Sequence, residues 1–450
     1  MRCIPKLSWS RVMIVSVFVL TACGDDAAPS DVTPDTAPDT ADVTLDTTPD
    51  VTPDTTPDTT PDTMDVNPDT TPSGPPDAIV ALESALTAAA PADRPTVLST
   101  WLAAQASAPV IDDTTAVFLF NGAATEVRMV GDATNWNAQT SPKLTRLDFQ
   151  EVDLWWLAQT YERNARLDYK LVLNGADWRL DALNPRTMAG GFGANSELAM
   201  PDYVTPAEAA NLTTAQAGTM TSHVIESEAL RQSRTIYVYV APGAVRDNEV
   251  PRPLVIFHDG NDYRSLIRTP LILDRVVDTG DVGPLVAVFA PPTERTVEYN
   301  RNDNYVRHLA DEVVPFMRTT YNAGLTPNVT GTIGASFGGL IACYAAITRP
   351  EIFGLAGCQS GAHSYDDDAM IELVKSIPKV DVKLHLIVGT YELAVSGNSD
   401  QGNLLAGQRR MVAALTAKNY TFASEEHPQG HSWGLWRDRL PTALRYLYGD

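Results

Sequence analysis

From position 116 onward the apolar residues fall into short dense runs separated by Gly, Asn, Asp and Pro, and the rhythm of those runs changes once. Between 111 and 205 the runs AVFLFNG (116–122), EVRMVGD (126–132), VDLWWLAQ (152–159) and RLDYKLVLNG (166–175) follow one another with turn residues between them. Short runs rich in β-branched and aromatic residues, without intervening helical spacing, predict an antiparallel β-sandwich. From 223 to 450 the order is different. RTIYVYVAP (234–242), PLVIFHDG (253–260), GPLVAVFAPP (283–292), NVTGTIGAS (328–336), IFGLAGCQSGA (352–362) and VDVKLHLIVGT (380–390) read as strands. Stretches of helical spacing such as LADEVVPFMRTTY (309–321) and FGGLIACYAAITRP (337–350) lie among them. Strands alternating with helices predict an α/β fold, a mostly parallel sheet with helices on both faces.

Two other segments flank these units. Residues 78–110 are rich in Ala and Leu at helical spacing, interrupted by Pro91 and Pro95, and predict short helices. An Ala- and Thr-rich linker, 206–222, joins the two folded units.

The first 77 positions are of another kind. Arg2, Lys6 and Arg11 precede an apolar run from Val12 to Leu20, a secretory signal pattern. It ends in Leu20-Thr21-Ala22-Cys23, which resembles the lipobox of bacterial lipoproteins, so Cys23 is the expected lipid-bearing residue and 1–23 the signal. From 24 to 77 the chain repeats TPD and TTPD, with 14 aspartates and no Lys or Arg. Such a segment has too little apolar surface to form a core, and proline with like-charge repulsion keeps it extended. It reads as a disordered tether between a membrane surface and the folded part, which implies the bacterial cell envelope, facing the periplasm or on the cell surface.

Much of the formal charge of −23 comes from that tether, and the remainder is mildly acidic. No Lys/Arg cluster points to nucleic acid. No metal-ligand spacing is present, and nothing calls for a cofactor. With Cys3 in the signal and Cys23 lipidated, Cys343 and Cys358 remain. In an exported protein they could bridge, yet their spacing fits a helix residue and a following strand residue, where buried free thiols are common, and free thiols are the favoured expectation.

Candidate chemistry centres on TIGASFGG (332–339). A G-x-S-x-G match alone is weak, and its context decides. Here Ser336 lies between a buried apolar run and a helical one, flanked by Gly334 and Gly338, as a sharp strand-to-helix turn requires. An acid and a histidine follow in order. Glu392 comes four residues after the run Leu384–Val388, with Asp400 and Asp381 as rivals, and His431 lies in PQGHSWGLW near the end. A serine hydroxyl is a poor nucleophile until a histidine takes its proton and a carboxylate fixes that histidine's tautomer. Ser336, Glu392 and His431 fit those roles.

Three stretches carry a resemblance: FHDGNDY (257–263), GASFGGLIACYAAITRPEIFGLAGCQSG (334–361) and GHSWGLW (430–436). Residues 223–449 are similar to the esterase D and enterochelin esterase-like branch of the α/β hydrolases. The stretches MVGDATNW (129–136) and DWRLDALNP (177–185) resemble the early-set sandwich domain that precedes the hydrolase in enterochelin esterases and also occurs as glycogen-binding-like modules. The resemblance implies a serine esterase with Ser336 as nucleophile and His431 as base. It implies an oxyanion hole from the backbone N–H of Phe337 and one near Gly260 or Asn261. Arg295 and Glu298 match a charged pair that recurs near the family's active site; with Trp433 they either brace loops or shape the substrate site. Trp136, Trp155, Trp156 and Trp178 either fill the sandwich core or stack on a ligand. The implied substrate is a ferric siderophore or another small-molecule or carbohydrate ester. The scaffold also serves feruloyl and acetyl-xylan esterases and acyltransferases. A non-catalytic sugar- or siderophore-binding lipoprotein is the alternative of another class.

Overall fold

The computed structural model describes residues 74–105, 108–243, 251–395 and 401–449. The signal with Cys23, the tether up to position 73, and Asp400 lie outside them. Two helices, Asp77–Ala88 and Arg94–Ala104, open the described chain, as expected. Their apolar side chains Ile79, Leu82, Leu86 and Leu98 pack on Val117, Leu119, Leu154 and Ala158.

Those four residues belong to a two-sheet antiparallel unit. One sheet runs Val110–Asp112, Thr115–Asn121, Leu154–Thr160, Thr145–Arg146; the other runs Val127–Gly131, Arg166–Leu173, Asn195–Ala199, Thr187–Met188, with Asp177–Arg179 added to Arg166–Leu173. Side chains alternate across a strand. Ala116 and Phe118 therefore face Met129, Tyr169 and Leu171 of the second sheet, while Val117 and Leu119 face the helices. With both faces covered, the run 116–120 is apolar throughout. Of the four tryptophans, Trp155 is core, Trp156 packs toward the helices, and the Trp136 Nε1–H donates to Asp132 Oδ1 at 2.9 Å. Trp178 stands exposed.

The larger unit is built on an eight-stranded sheet ordered Thr219–Ser227, Gln232–Val240, Val286–Ala290, Leu254–His258, Thr330–Ala335, Leu355–Gln359, Lys383–Gly389, Thr421–His427. The first two strands form an antiparallel hairpin and the other six run parallel. The predicted linker thus ends inside the first strand. Alternation again sorts the core: Leu254, Ile256, Val286 and Val288 point to one face, Val255, Phe257, Ala287 and Phe289 to the other. Each of the Val, Leu, Ile and Phe side chains among them, fully buried, contributes about 1.5–3 kcal/mol. The helix Phe337–Thr348 covers the first face and the helix Trp433–Tyr448 the second.

One expectation fails here. Cys343 and Cys358 form a disulfide, joining the helix Phe337–Thr348 to the strand Leu355–Gln359. Their Cα atoms are 6.2 Å apart, inside the range a bridge spans. Chain spacing carries no information on that distance; the packing of helix on strand sets it.

Candidate active site

Four neighbouring parallel strands end side by side. Ala335 pairs with Gln359, Gln359 with Ile387, and Gly389 with His427. Ser336 follows the first of these ends, at φ 60° and ψ −122°, a conformation most residues avoid. Packing enforces it. A Cβ at Gly334 would lie 2.3 Å from the Gly338 carbonyl oxygen, and one at Gly338 would lie 3.2 Å from Asp259 Oδ2. At 334 only a glycine lets strand and helix meet this closely. The Ser336 backbone is tied on both sides: its N–H donates to the Gln359 carbonyl at 2.9 Å, and its carbonyl accepts from Ala362 N–H at 3.1 Å. Its hydroxyl makes no hydrogen bond among the described residues and stands at the start of the helix Phe337–Thr348.

The acid and the imidazole meet directly. Nδ1 of His431 lies 2.7 Å from Glu392 Oε2. A carboxylate only accepts, so Nδ1 carries the proton and Nε2 is left as the basic nitrogen. Glu392 is fully buried, and its other oxygen accepts from Gly389 N–H and from the Ser360 hydroxyl, both at 2.7 Å. The Ser360 oxygen in turn accepts from the Trp436 Nε1–H at 2.9 Å. The Trp436 ring meets His431 edge to face at 5.0 Å between centroids. Donors thus surround the carboxylate, which holds the imidazole at one orientation. A short path links this pair to Ser336: Gln359 accepts from Ser336 N–H, and the next residue, Ser360, donates to Glu392. The rival Asp381 precedes the strand Lys383–Gly389 and so lies at the opposite edge of the sheet.

The residues assigned to the oxyanion and substrate divide. Phe337 begins its helix, and Gly260 and Asn261 begin the short helix Gly260–Ser265, so their N–H groups have no intrahelical partner. Asp259, at φ 51°, turns the chain into that short helix, and Arg295 clamps it through Nε and Nη2, both at 2.8 Å from the carboxylate. Arg295 also reaches the Ala335 carbonyl at 3.3 Å, beside Ser336. Glu298 does not face Arg295. It binds Arg234 through two bonds of 2.7 and 2.9 Å and accepts from Thr293 and Glu294 N–H, bracing the loop before its own helix. Trp433 is largely buried between Tyr263 and Trp436. His258 is fully buried against Tyr305 and Thr332, and burial, with the Arg295 charge adding to it, pushes its pKa down to about 3. It stays neutral and structural.

Residues 227–447 match the family model Esterase. That segment belongs to the family. Iron(III) enterobactin esterase of Escherichia coli O6:H1 (strain CFT073) is 28% identical over 188 residues, which is 41% of this chain and 46% of that protein. Uncharacterized protein YbbA of Bacillus subtilis (strain 168) is 26% identical over 150 residues, 32% of this chain and 60% of that protein. The chain thus spans less than two thirds of the length of either relative. The crystal structure of the enterobactin esterase FES from Shigella flexneri, obtained in the presence of enterobactin, superposes with a TM-score of 0.65 at 20% identity, covering 78% of this chain and 97% of that one. That likeness concerns the fold, and its span exceeds the esterase segment.

Within this esterase-family segment, Ser360, Trp436 and the Gly389 N–H were not singled out from the sequence, although they complete the surroundings of Glu392. Trp436 lies inside the GHSWGLW stretch, and Ser360 is the small polar residue that follows a buried strand, so a signal existed for both. A cavity of about 520 Å³ lined by Pro253, Val329, Leu355, Lys383 and Tyr448 opens where the parallel strands begin, at the edge opposite Ser336.

Proposed function

We propose that the chain hydrolyses a carboxylic ester through an acyl-serine intermediate, with Ser336 as nucleophile, His431 as base and Glu392 as the acid that orients it. The observation that carries this reading is the 2.7 Å contact between His431 and a fully buried Glu392 at the sheet edge where Ser336 forms its strained turn. Ser336 Oγ attacks the ester carbonyl while Nε2 of His431 takes its proton. The tetrahedral oxyanion is met by Phe337 N–H and by Gly260 or Asn261 N–H, aided by the positive end of the helix after Ser336. His431 returns the proton to the departing alkoxide, and then activates a water that attacks the acyl-serine. The Ser336–His431 contact closes when substrate binds, since such bonds are often long in the free enzyme.

For the substrate, the family and the fold shared with enterobactin esterases favour an ester of a catecholate siderophore. The Cys23 motif and the tether favour a lipid-anchored enzyme working in the cell envelope. Hydrolysis of a short-chain nitrophenyl ester tests the reaction class, with Ser336→Ala beside it. The variant is expected to lose activity by about 10⁴-fold or more and to take no fluorophosphonate label. An inert, unlabelled wild type overturns the enzyme reading and leaves a binding lipoprotein. A panel of catechol, feruloyl and acetyl esters then ranks substrates, and a preference for acetyl over catechol esters overturns the siderophore assignment.

A further inference from the structure

Glu392 and Trp436 hold the His431 ring, and the loop that carries it is held from two sides, by Tyr391 N–H donating to the Gln429 carbonyl at 3.2 Å and by the sandwich. Arg166, first residue of the strand Arg166–Leu173, donates its backbone N–H to the Pro428 carbonyl at 3.0 Å and bridges Gln429 as a parallel strand would. Its Nη1 donates to Ser432 Oγ at 3.0 Å, on the far side of His431. Glycines permit the close approach. A Cβ at Gly430 would lie 2.1 Å from Asp132 Cγ, and one at Gly434 would lie 2.1 Å from Arg166 Cζ. Positions 428, 429, 430, 432 and 434 therefore all meet sandwich residues.

Arg166 is fully buried, and its guanidinium is itself fixed. Nε and Nη2 reach Glu197 Oε2 at 3.0 and 2.8 Å, and Nη2 lies 2.7 Å from Asp168 Oδ1. Arg186 holds the other oxygen of Glu197 at 2.7 Å. A planar guanidinium bound in this way has one orientation, which a lysine would not reproduce. A buried ion cluster seldom adds net stability over well-packed apolar residues. The acid's loop leans on the same domain: Tyr391, next to Glu392, sits in the sandwich core against Tyr161, its hydroxyl bonded to Glu162.

We propose that Arg166 is a positioning residue for His431, and that the sandwich serves catalysis by fixing the loop 428–434 so that the imidazole addresses Ser336. This rests on the triad reading above. Displacing a catalytic group by about 1 Å costs on the order of 100-fold in rate, even when the change is remote from the chemistry.

The test uses the full chain with Arg166→Met, Arg166→Lys and Ser432→Ala, reading kcat and KM on a nitrophenyl ester, the fluorophosphonate labelling rate, and folding by near-ultraviolet circular dichroism. In folded Arg166→Met, kcat and labelling are expected to fall together by roughly 10- to 100-fold with KM almost unchanged. Arg166→Lys recovers part of the loss. Ser432→Ala, which removes one hydroxyl, falls by about 3- to 10-fold. A folded Arg166→Met with wild-type kcat overturns the proposal. Should Arg166→Met not fold, Ser432→Ala decides: reduced kcat and labelling at constant KM support the proposal, and wild-type values overturn it. An inert wild type defeats the triad reading and this inference together, whereas an active wild type with unaffected variants defeats the inference alone.

Discussion

Ser336 and His431 stand at the same edge of one sheet, yet they are held there by different kinds of structure. The serine is fixed by its immediate neighbours in the chain: Gly334 and Gly338 interlock, the strand before it is in register with the next, and a disulfide ties the helix after it to that strand. The histidine is fixed from afar, by Glu392 in one loop and by Arg166 and Asp132 of a separate domain. A residue on a strained turn demands rigid local packing, because the strain must be overcome at the turn itself. A histidine in a loop can be placed only by whatever the loop rests on.

The sharpest way to break this contrast is at the turn. Gly334→Ala places a methyl against backbone that has no room to move, and kcat/KM is expected to fall by about 100-fold or more, with a stability loss of about 1–3 kcal/mol. Near-wild-type activity would show that the turn does not depend on this packing. Next comes the disulfide. Because Cys343 and Cys358 are 15 positions apart, replacing both with alanine is expected to lower unfolding free energy by about 3 kcal/mol while kcat and KM stay close to wild type. A collapse of kcat in the folded variant would mean that the glycine turn cannot hold Ser336 unaided.

The smallest effect concerns His363, in the loop that accepts the end of the strand beside Ser336. It is fully buried, both ring nitrogens lack a hydrogen bond among the described residues, and burial pushes its pKa down to about 4. A histidine whose folded pKa lies below its ordinary value near 6.5 gives stability that is present above that value and is lost as pH falls toward 4. In His363→Leu the drop in melting temperature between pH 7 and pH 4 is therefore expected to be shallower than in wild type. Identical slopes would show that the ring is solvated and that this side of the site is looser than it looks.

Much of this was readable before any coordinates. The turn at Ser336 announces itself because its determinants are contiguous: a buried strand, small residues two positions either side of the serine, and a helix. Glu392 and His431 follow from position after a strand and from chain order. Other features were hidden for definite reasons. Arg295 and Glu298 are three apart and of opposite sign, but the helix turn sends them to Asp259 and Arg234, partners from other strands and loops. In RLDYKLVL, alternation puts Leu167, Tyr169 and Leu171 in the sandwich core and Arg166 and Asp168 on the reverse face. Nothing in that pattern says that the reverse face meets a second domain.

By itself, then, the sequence determined the class of fold, the order of its two folded units and the position of the strained serine, since periodicity and glycine spacing act over a few residues. Tertiary structure alone decided that two cysteines pair, that Ser360 and Trp436 complete the surroundings of the acid, and that a sandwich arginine reaches the histidine's loop. Those contacts join positions from 15 to 266 residues apart, and such distances are set by how layers pack rather than by the pattern within any one element.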